Sequence, residues 1–190
     1  MPAFDGIRII RGPLYKSVLL LTAPFLCVLL DLPGSASAST VSLFFLNMFV
    51  YLCFAYAVND WADREADLAA GKHRTLARLP GGVLLLIVGA LLLAALAGGY
   101  WLGGGWCYMG ILLAGLLLSV AYSVPPWRIK GRGIWGVILA PLLGKAIPVW
   151  LACTLFRRFG WYFLVIVLAE WVKNAIDIRM VKALSNSPLR

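Results

Sequence analysis

The stretch Asn59 to Asp67 holds Asp60, Asp63, Glu65 and Asp67, four of the eight acidic residues in the chain. Asp60, Asp63 and Asp67 stand three and four positions apart, so on a helix they share one face over two turns, with Asn59 on the same flank. Like-charged carboxylates at that spacing repel each other, and a helix that carries them is steadier with a cation between them. All of these donors are oxygen. A hard divalent ion that keeps some of its waters and also takes phosphate oxygens, Mg²⁺, suits such a set. Lys72 and Arg74 follow in the same loop, and their charge suits a diphosphate. The plainer account of the cluster is a solvated helix end whose charges serve solubility and topology.

A second polar stretch runs Tyr122-Ser123-Val124-Pro125-Pro126-Trp127-Arg128-Ile129-Lys130-Gly131-Arg132-Gly133. By itself it reads as a basic turn that anchors lipid headgroups. Beside the acidic stretch it has a second use. Arg128 and Lys130 can hold the far side of a diphosphate whose near side is held by a metal.

Almost everything between these stretches is apolar. Hydrophobic residues make up 62% and charged residues 13% of the 190 positions, against roughly 25% charged in soluble domains. Mean hydropathy is +0.89. The expected class is therefore all-α and integral to the membrane, a multi-pass bundle forming one transmembrane domain over 1–190. Spans are expected at about 17–32, 41–58, 82–98, 106–124, 134–154 and 161–178. The first reaches only ~24 Å at helical rise. With Arg8, Arg11 and Lys16 before it and small residues after it, it also has the form of a cleaved signal peptide. The fourth must stop at Pro125-Pro126.

The net charge of +9 is loop charge in such a chain, and nucleic acid is not expected as a partner; membrane lipid is. Six spans put both ends on one side. That side carries Arg8, Arg11, Lys16, Arg64, Lys72, Arg74, Arg78, Arg128, Lys130, Arg132, Lys173, Arg179, Lys182 and Arg190, leaving only Arg157 and Arg158 opposite and Lys145 within a span. By the positive-inside rule both polar stretches face the cytoplasm. Cys27, Cys53, Cys107 and Cys153 lie far apart in apolar runs and read as small hydrophobes.

Asn59-Asp60-x-x-Asp63-x-x-x-Asp67, with Lys72 and Arg74, resembles the first aspartate motif of the UbiA-type intramembrane prenyltransferase superfamily. Tyr122-Ser123-x-Pro125-Pro126-x-Arg128-x-Lys130-x-Arg132-Gly133 is similar to the loop between that family's fourth and fifth helices. The resemblance runs from about residue 8 to 178. It implies a helical bundle around an apolar cavity, with a polyprenyl diphosphate in the cavity and its diphosphate on Mg²⁺. A hydrophobic acceptor, aromatic or lipid, would attack the prenyl group as diphosphate departs. Asn59, Asp60, Asp63 and Asp67 would hold the metal, and Lys72, Arg74, Arg128 and Lys130 would bind the diphosphate. Tyr122 and Asp177 are the catalytic candidates, Tyr122 near the allylic carbon or diphosphate.

The chain departs from the family pattern after Asn174 and Asp177, with Met180 and Val181 at the next positions of a second aspartate motif. Thr75 stands where the family usually has proline, and the family's last three helices are not reached. The expectation is a member truncated after its sixth helix. Two other readings stay open: a non-catalytic protein of the same fold, and a transferase moving phosphoribosyl onto a polyprenyl phosphate. A CDP-alcohol phosphotransferase would need an Asp-Gly-x-x-Ala-Arg element, which this sequence lacks.

Two charges fall inside spans, Lys145 in the fifth and Glu170 in the antiparallel sixth. Both lie ~16 Å deep or less by helical rise, where an isolated charge is costly, so they are expected to pair or to line the cavity. His73, the only histidine, reads as a loop bystander. The topology has a direct test. In a background whose cysteines are replaced by alanine, Ala70→Cys should react with an impermeant maleimide only from the cytoplasmic side, and Leu102→Cys only from the other. Labelling of both from one side contradicts the assignment.

Overall fold

The structure, a computed structural model, describes residues 37–71 and 79–157 and scattered positions between 161 and 176. The expected span 17–32, most of 161–178, and Lys72, His73, Arg74, Glu170 and Asp177 lie outside the described residues. What is described is helical, without a strand, and four of its helices are long and apolar enough to cross a membrane.

Helix α1 runs Ala38–Ala69, 32 residues without a break. Ser37 caps it, its side chain accepting from the Thr40 amide at 3.2 Å, which satisfies one of the orphan donors of the first turn. At ~1.5 Å per residue this helix reaches ~48 Å, against a hydrocarbon layer of ~30 Å. The apolar run therefore spans and the acidic stretch continues the same helix beyond it. Asn59, Asp60, Asp63 and Asp67 are carried on a rigid rod and not on a loop. Arg64 ties down the returning chain, Nε donating to the Leu79 carbonyl at 3.2 Å.

Helix α2, Gly81–Trp101, follows Pro80 and buries little beyond Leu84, Ala95 and Gly99. Its remaining apolar surface suits lipid. Helix α3, Gly105–Ser123, ends where Val124 turns extended ahead of a cis Pro125–Pro126 bond. Helix α4, Ile134–Phe156, is α-helical to Pro141, widens into a π-helical turn over Leu142–Ala146, and is α-helical again from Ile147. Pro148 follows directly. A proline has no N–H to give and its ring crowds the carbonyl one turn back, and a wider turn at that point absorbs the misfit. One carbonyl of this turn, that of Leu143, receives the Tyr51 hydroxyl at 3.1 Å.

Helix α1 packs on α2 and α3, and α3 on α4. Between apolar helices in lipid, close approach comes from small residues and from polar groups that find partners. Asn47, buried in α1, does the second: Nδ2 donates to the Ala95 carbonyl at 2.7 Å, and Oδ1 accepts from the Tyr108 hydroxyl at 3.1 Å. One side chain thus joins three helices. Gly98 does the first, because a Cβ there would collide with Asn47 Nδ2. Trp171, among the scattered positions, donates from Nε1 to the Ile138 carbonyl at 3.3 Å and so lies against α4.

Asn47→Leu should lower stability by about 1–2 kcal/mol, since it strands the Tyr108 hydroxyl and a carbonyl. Gly98→Ala should also destabilise, and combining it with Asn47→Ala should cost less than the sum, because the second change removes the clash. Reversible unfolding in detergent measures both. Strict additivity would contradict the contact.

Candidate functional site

The 124–133 loop is shaped by its own backbone. Arg128 takes a left-handed conformation (φ 35°) with its amide on the Val124 carbonyl at 2.9 Å. A short 3₁₀ turn, Ile129–Gly131, follows, and Arg132 Nη2 closes back on the Pro126 carbonyl at 2.9 Å. Gly133, at φ 56°, turns the chain into α4. Gly136 then lets α4 lie against the loop, since a Cβ there would meet the Lys130 carbonyl at 2.7 Å. The result is a folded-back loop with two cationic side chains aimed at the acidic end of α1.

Those side chains meet named oxygens. Lys130 Nζ donates to Asn59 Oδ1 at 2.8 Å and to Asp63 Oδ2 at 2.6 Å. Arg128 Nη2 donates to Asp63 Oδ1 at 3.1 Å. Asn59 Oδ1 also accepts from the Ser123 hydroxyl at 3.4 Å. The Lys130 and Asp63 side chains are 16% and 18% exposed, while that of Arg128 is 47% exposed. The lysine pair is partly desolvated and the arginine sits at the rim, so the two contacts differ in strength.

A cavity of about 230 Å³ opens beside this ion cluster, lined by Leu52, Tyr56, Asn59, Tyr122, Leu143 and Gly144, with Ser119 and Ser123 among its polar margins. It is mainly apolar, with Asn59 at the end that carries charge. Three helices, α1, α3 and α4, line it, and the 124–133 loop brings its cations to the same end.

Of the expected site residues, Asn59, Asp63, Arg128 and Lys130 are in direct contact, and Tyr122 shares the cavity with Asn59. Asp60 is half-buried on α1, and Asp67 is buried at 5% exposure one turn beyond Asp63. Lys72, Arg74 and Asp177 are outside the described residues. Sequence reading passed over Ser123 and Tyr56. Tyr56 had a signal: Leu52, Tyr56 and Asn59 recur at helical spacing and share a face. Ser123 stood in the Tyr122-Ser123-x-Pro125-Pro126 motif but was given no role of its own.

Among the described residues no three His, Cys, Asp or Glu side chains converge as a metal cluster. The position between Asn59 and Asp63 is nonetheless shaped for positive charge, because Lys130 brings its ammonium there to two oxygens at once. A carboxylate and an amide oxygen are the donors that a hard cation takes. The residues present fit such an ion in kind.

Residues 18–175 match the UbiA prenyltransferase family. The chain belongs to that family. Two curated relatives are similar to part of this UbiA chain. One is the bacteriochlorophyll synthase 33 kDa chain of Rhodobacter capsulatus, 39% identical over 94 residues. The other is the bacteriochlorophyll synthase 33 kDa chain of Cereibacter sphaeroides, 36% identical over 94 residues. In each case the match covers 48% of this chain and 30% of the relative. An integral-membrane helical protein of this family is what the apolar helices and the family match together establish.

Lys130→Met and Asp63→Asn should each destabilise by about 1–2 kcal/mol, with the double variant falling short of the sum by ~1 kcal/mol. Arg128→Ala should cost less than ~1 kcal/mol and lose its effect at high salt. Unfolding in detergent at two ionic strengths measures this. Equal losses at Lys130 and Arg128 would contradict the difference in burial.

Proposed function

We propose that this chain binds a polyprenyl diphosphate and transfers its prenyl group to a hydrophobic acceptor, with Mg²⁺ required. The observation that carries the reading is the junction of Asn59 and Asp63 with Arg128 and Lys130 at the mouth of a mainly apolar cavity. Family membership supports it. An allylic diphosphate is a molecule with one end for each half of that arrangement.

In this reading Asn59 and Asp63, with Asp60 and Asp67 on the same helix, hold the metal. When bound, Mg²⁺ screens the charge of the diphosphate and makes it a better leaving group. Lys130 and Arg128 turn from Asp63 onto the diphosphate oxygens, joined by Lys72 and Arg74 from the loop after α1. Cationic donors placed where charge develops stabilise departure more than binding. The allylic carbon then lies near Tyr122, and the apolar wall excludes water that would otherwise capture the electron-poor prenyl group. Asp177, at the place of the family's second aspartate motif, is the other catalytic candidate. The relatives' name favours a tetrapyrrole of the bacteriochlorophyll type as the acceptor, and the loops that carry the site are assigned to the cytoplasm by their charge.

Membranes containing the chain, incubated with labelled allylic diphosphates, Mg²⁺ and a tetrapyrrole acceptor, should release diphosphate. Asp63→Ala should lower release by ~10²–10³-fold, and chelation should abolish it. Equal release from wild type and Asp63→Ala would sink the assignment.

A further inference from the structure

Lys130 sets its ammonium against two oxygens that stand one turn apart on α1, Asn59 Oδ1 at 2.8 Å and Asp63 Oδ2 at 2.6 Å. These are two of the donors assigned above to a divalent ion. An ammonium and a divalent cation cannot share them, because both need the same lone pairs and two positive charges so close repel. Arg128 takes the other carboxylate oxygen, Asp63 Oδ1, at 3.1 Å. Both oxygens of the Asp63 carboxylate thus face a cation that belongs to the protein.

The part able to move is the side chain. The loop backbone around Lys130 is held, with the Gly131 amide on the Arg128 carbonyl at 3.0 Å and the Arg132 amide on the Ile129 carbonyl at 2.9 Å. Helix α4 lies against the Lys130 carbonyl at Gly136. The flexible stem of a lysine, by contrast, lets its ammonium swing. Arg128 is the weaker competitor, since it sits at the exposed rim and touches one oxygen only.

Resting on the metal and donor assignments above, we propose that Lys130 is a resident counter-cation that competes with the metal for Asn59 and Asp63. The metal binds well only once the ammonium has left. A diphosphate, which offers Lys130 a more highly charged partner than Asp63, is what draws it away. Metal alone therefore binds poorly, and the two ligands load together. Linkage makes the effect reciprocal, so without metal Asp63 holds Lys130 back from the diphosphate.

The test reads binding, not turnover, on the full chain in phosphatidylcholine nanodiscs. Mn²⁺, standing in for Mg²⁺, is titrated by electron paramagnetic resonance with no diphosphate present. Lys130→Met should bind Mn²⁺ ~10-fold or more tighter than wild type, the scale of coupling between two ligands, and adding Asp63→Asn should abolish the gain. Arg64→Met controls for charge alone. Arg64 neighbours Asp63 in the chain but gives its Nε to the Leu79 carbonyl, and its loss should change the affinity by ~3-fold at most. If Lys130→Met does not fold, Lys130→Gln should shift the affinity the same way. In EDTA, Asp63→Asn should bind geranyl diphosphate more tightly than wild type does, and that gain should vanish in a Lys130→Met background. Equal Mn²⁺ gains at Lys130 and Arg64 overturn the proposal, as does a geranyl diphosphate gain that survives without Lys130. Mn²⁺ binding that depends on Asp63 but not on Lys130 removes this proposal alone. Mn²⁺ binding that ignores Asp63 in every background removes the metal assignment, and this proposal with it.

Discussion

The contact on which the site depends is the one between Lys130 and the two oxygens of α1, Asn59 Oδ1 and Asp63 Oδ2. A lysine and an aspartate that are both mostly shielded from water lose hydration, and they recover it only if each meets the other in good geometry. That requirement reaches into the backbone. Arg128 holds a left-handed conformation that costs a non-glycine residue of order 1–3 kcal/mol. Gly136 lets α4 press on the loop at Lys130. The loop is shaped from both sides to deliver one ammonium to one helix end.

The same contact explains why carboxylates at helical spacing are tolerated there. Repulsion along α1 is offset at Asp63 by two cations supplied from another part of the chain. A cluster built this way is responsive. An anion arriving at the mouth competes for Lys130 and Arg128, and whatever it releases on α1 is then free to take another cation. Under the proposed function, charge balance at this half-shielded place would couple the binding of anion and metal.

Beneath the charged mouth the bundle is held by contacts suited to lipid. Asn47 links three helices through its amide, Gly98 and Gly115 give up side chains where a neighbour needs the space, and the π-helical turn offers a carbonyl to Tyr51. None of these relies on an apolar side chain preferring protein to hydrocarbon, a preference that is weak inside a bilayer. A cavity walled in this way keeps its shape while the lipid-facing surface, such as Leu86 and Leu93 of α2 at 75% and 68% exposure, changes neighbours freely.

Much of this was legible in the residues. Apolar length fixes a helical membrane protein, because a backbone in hydrocarbon must satisfy its own hydrogen bonds. Helical spacing puts Asp60, Asp63 and Asp67 on one flank, and their types suit the cation that the proposed function would place there. Their order with Tyr122, Arg128 and Lys130 was enough to point to the UbiA family. Tertiary structure decided what no spacing contains: that Asp63 receives both Lys130 and Arg128, that Ser123 joins them at Asn59, and that Tyr51 packs into the space Gly115 leaves open. These partners are 64 to 71 residues apart. Local periodicity says which way a side chain points on its own helix, but not which residue of another helix stands there to meet it.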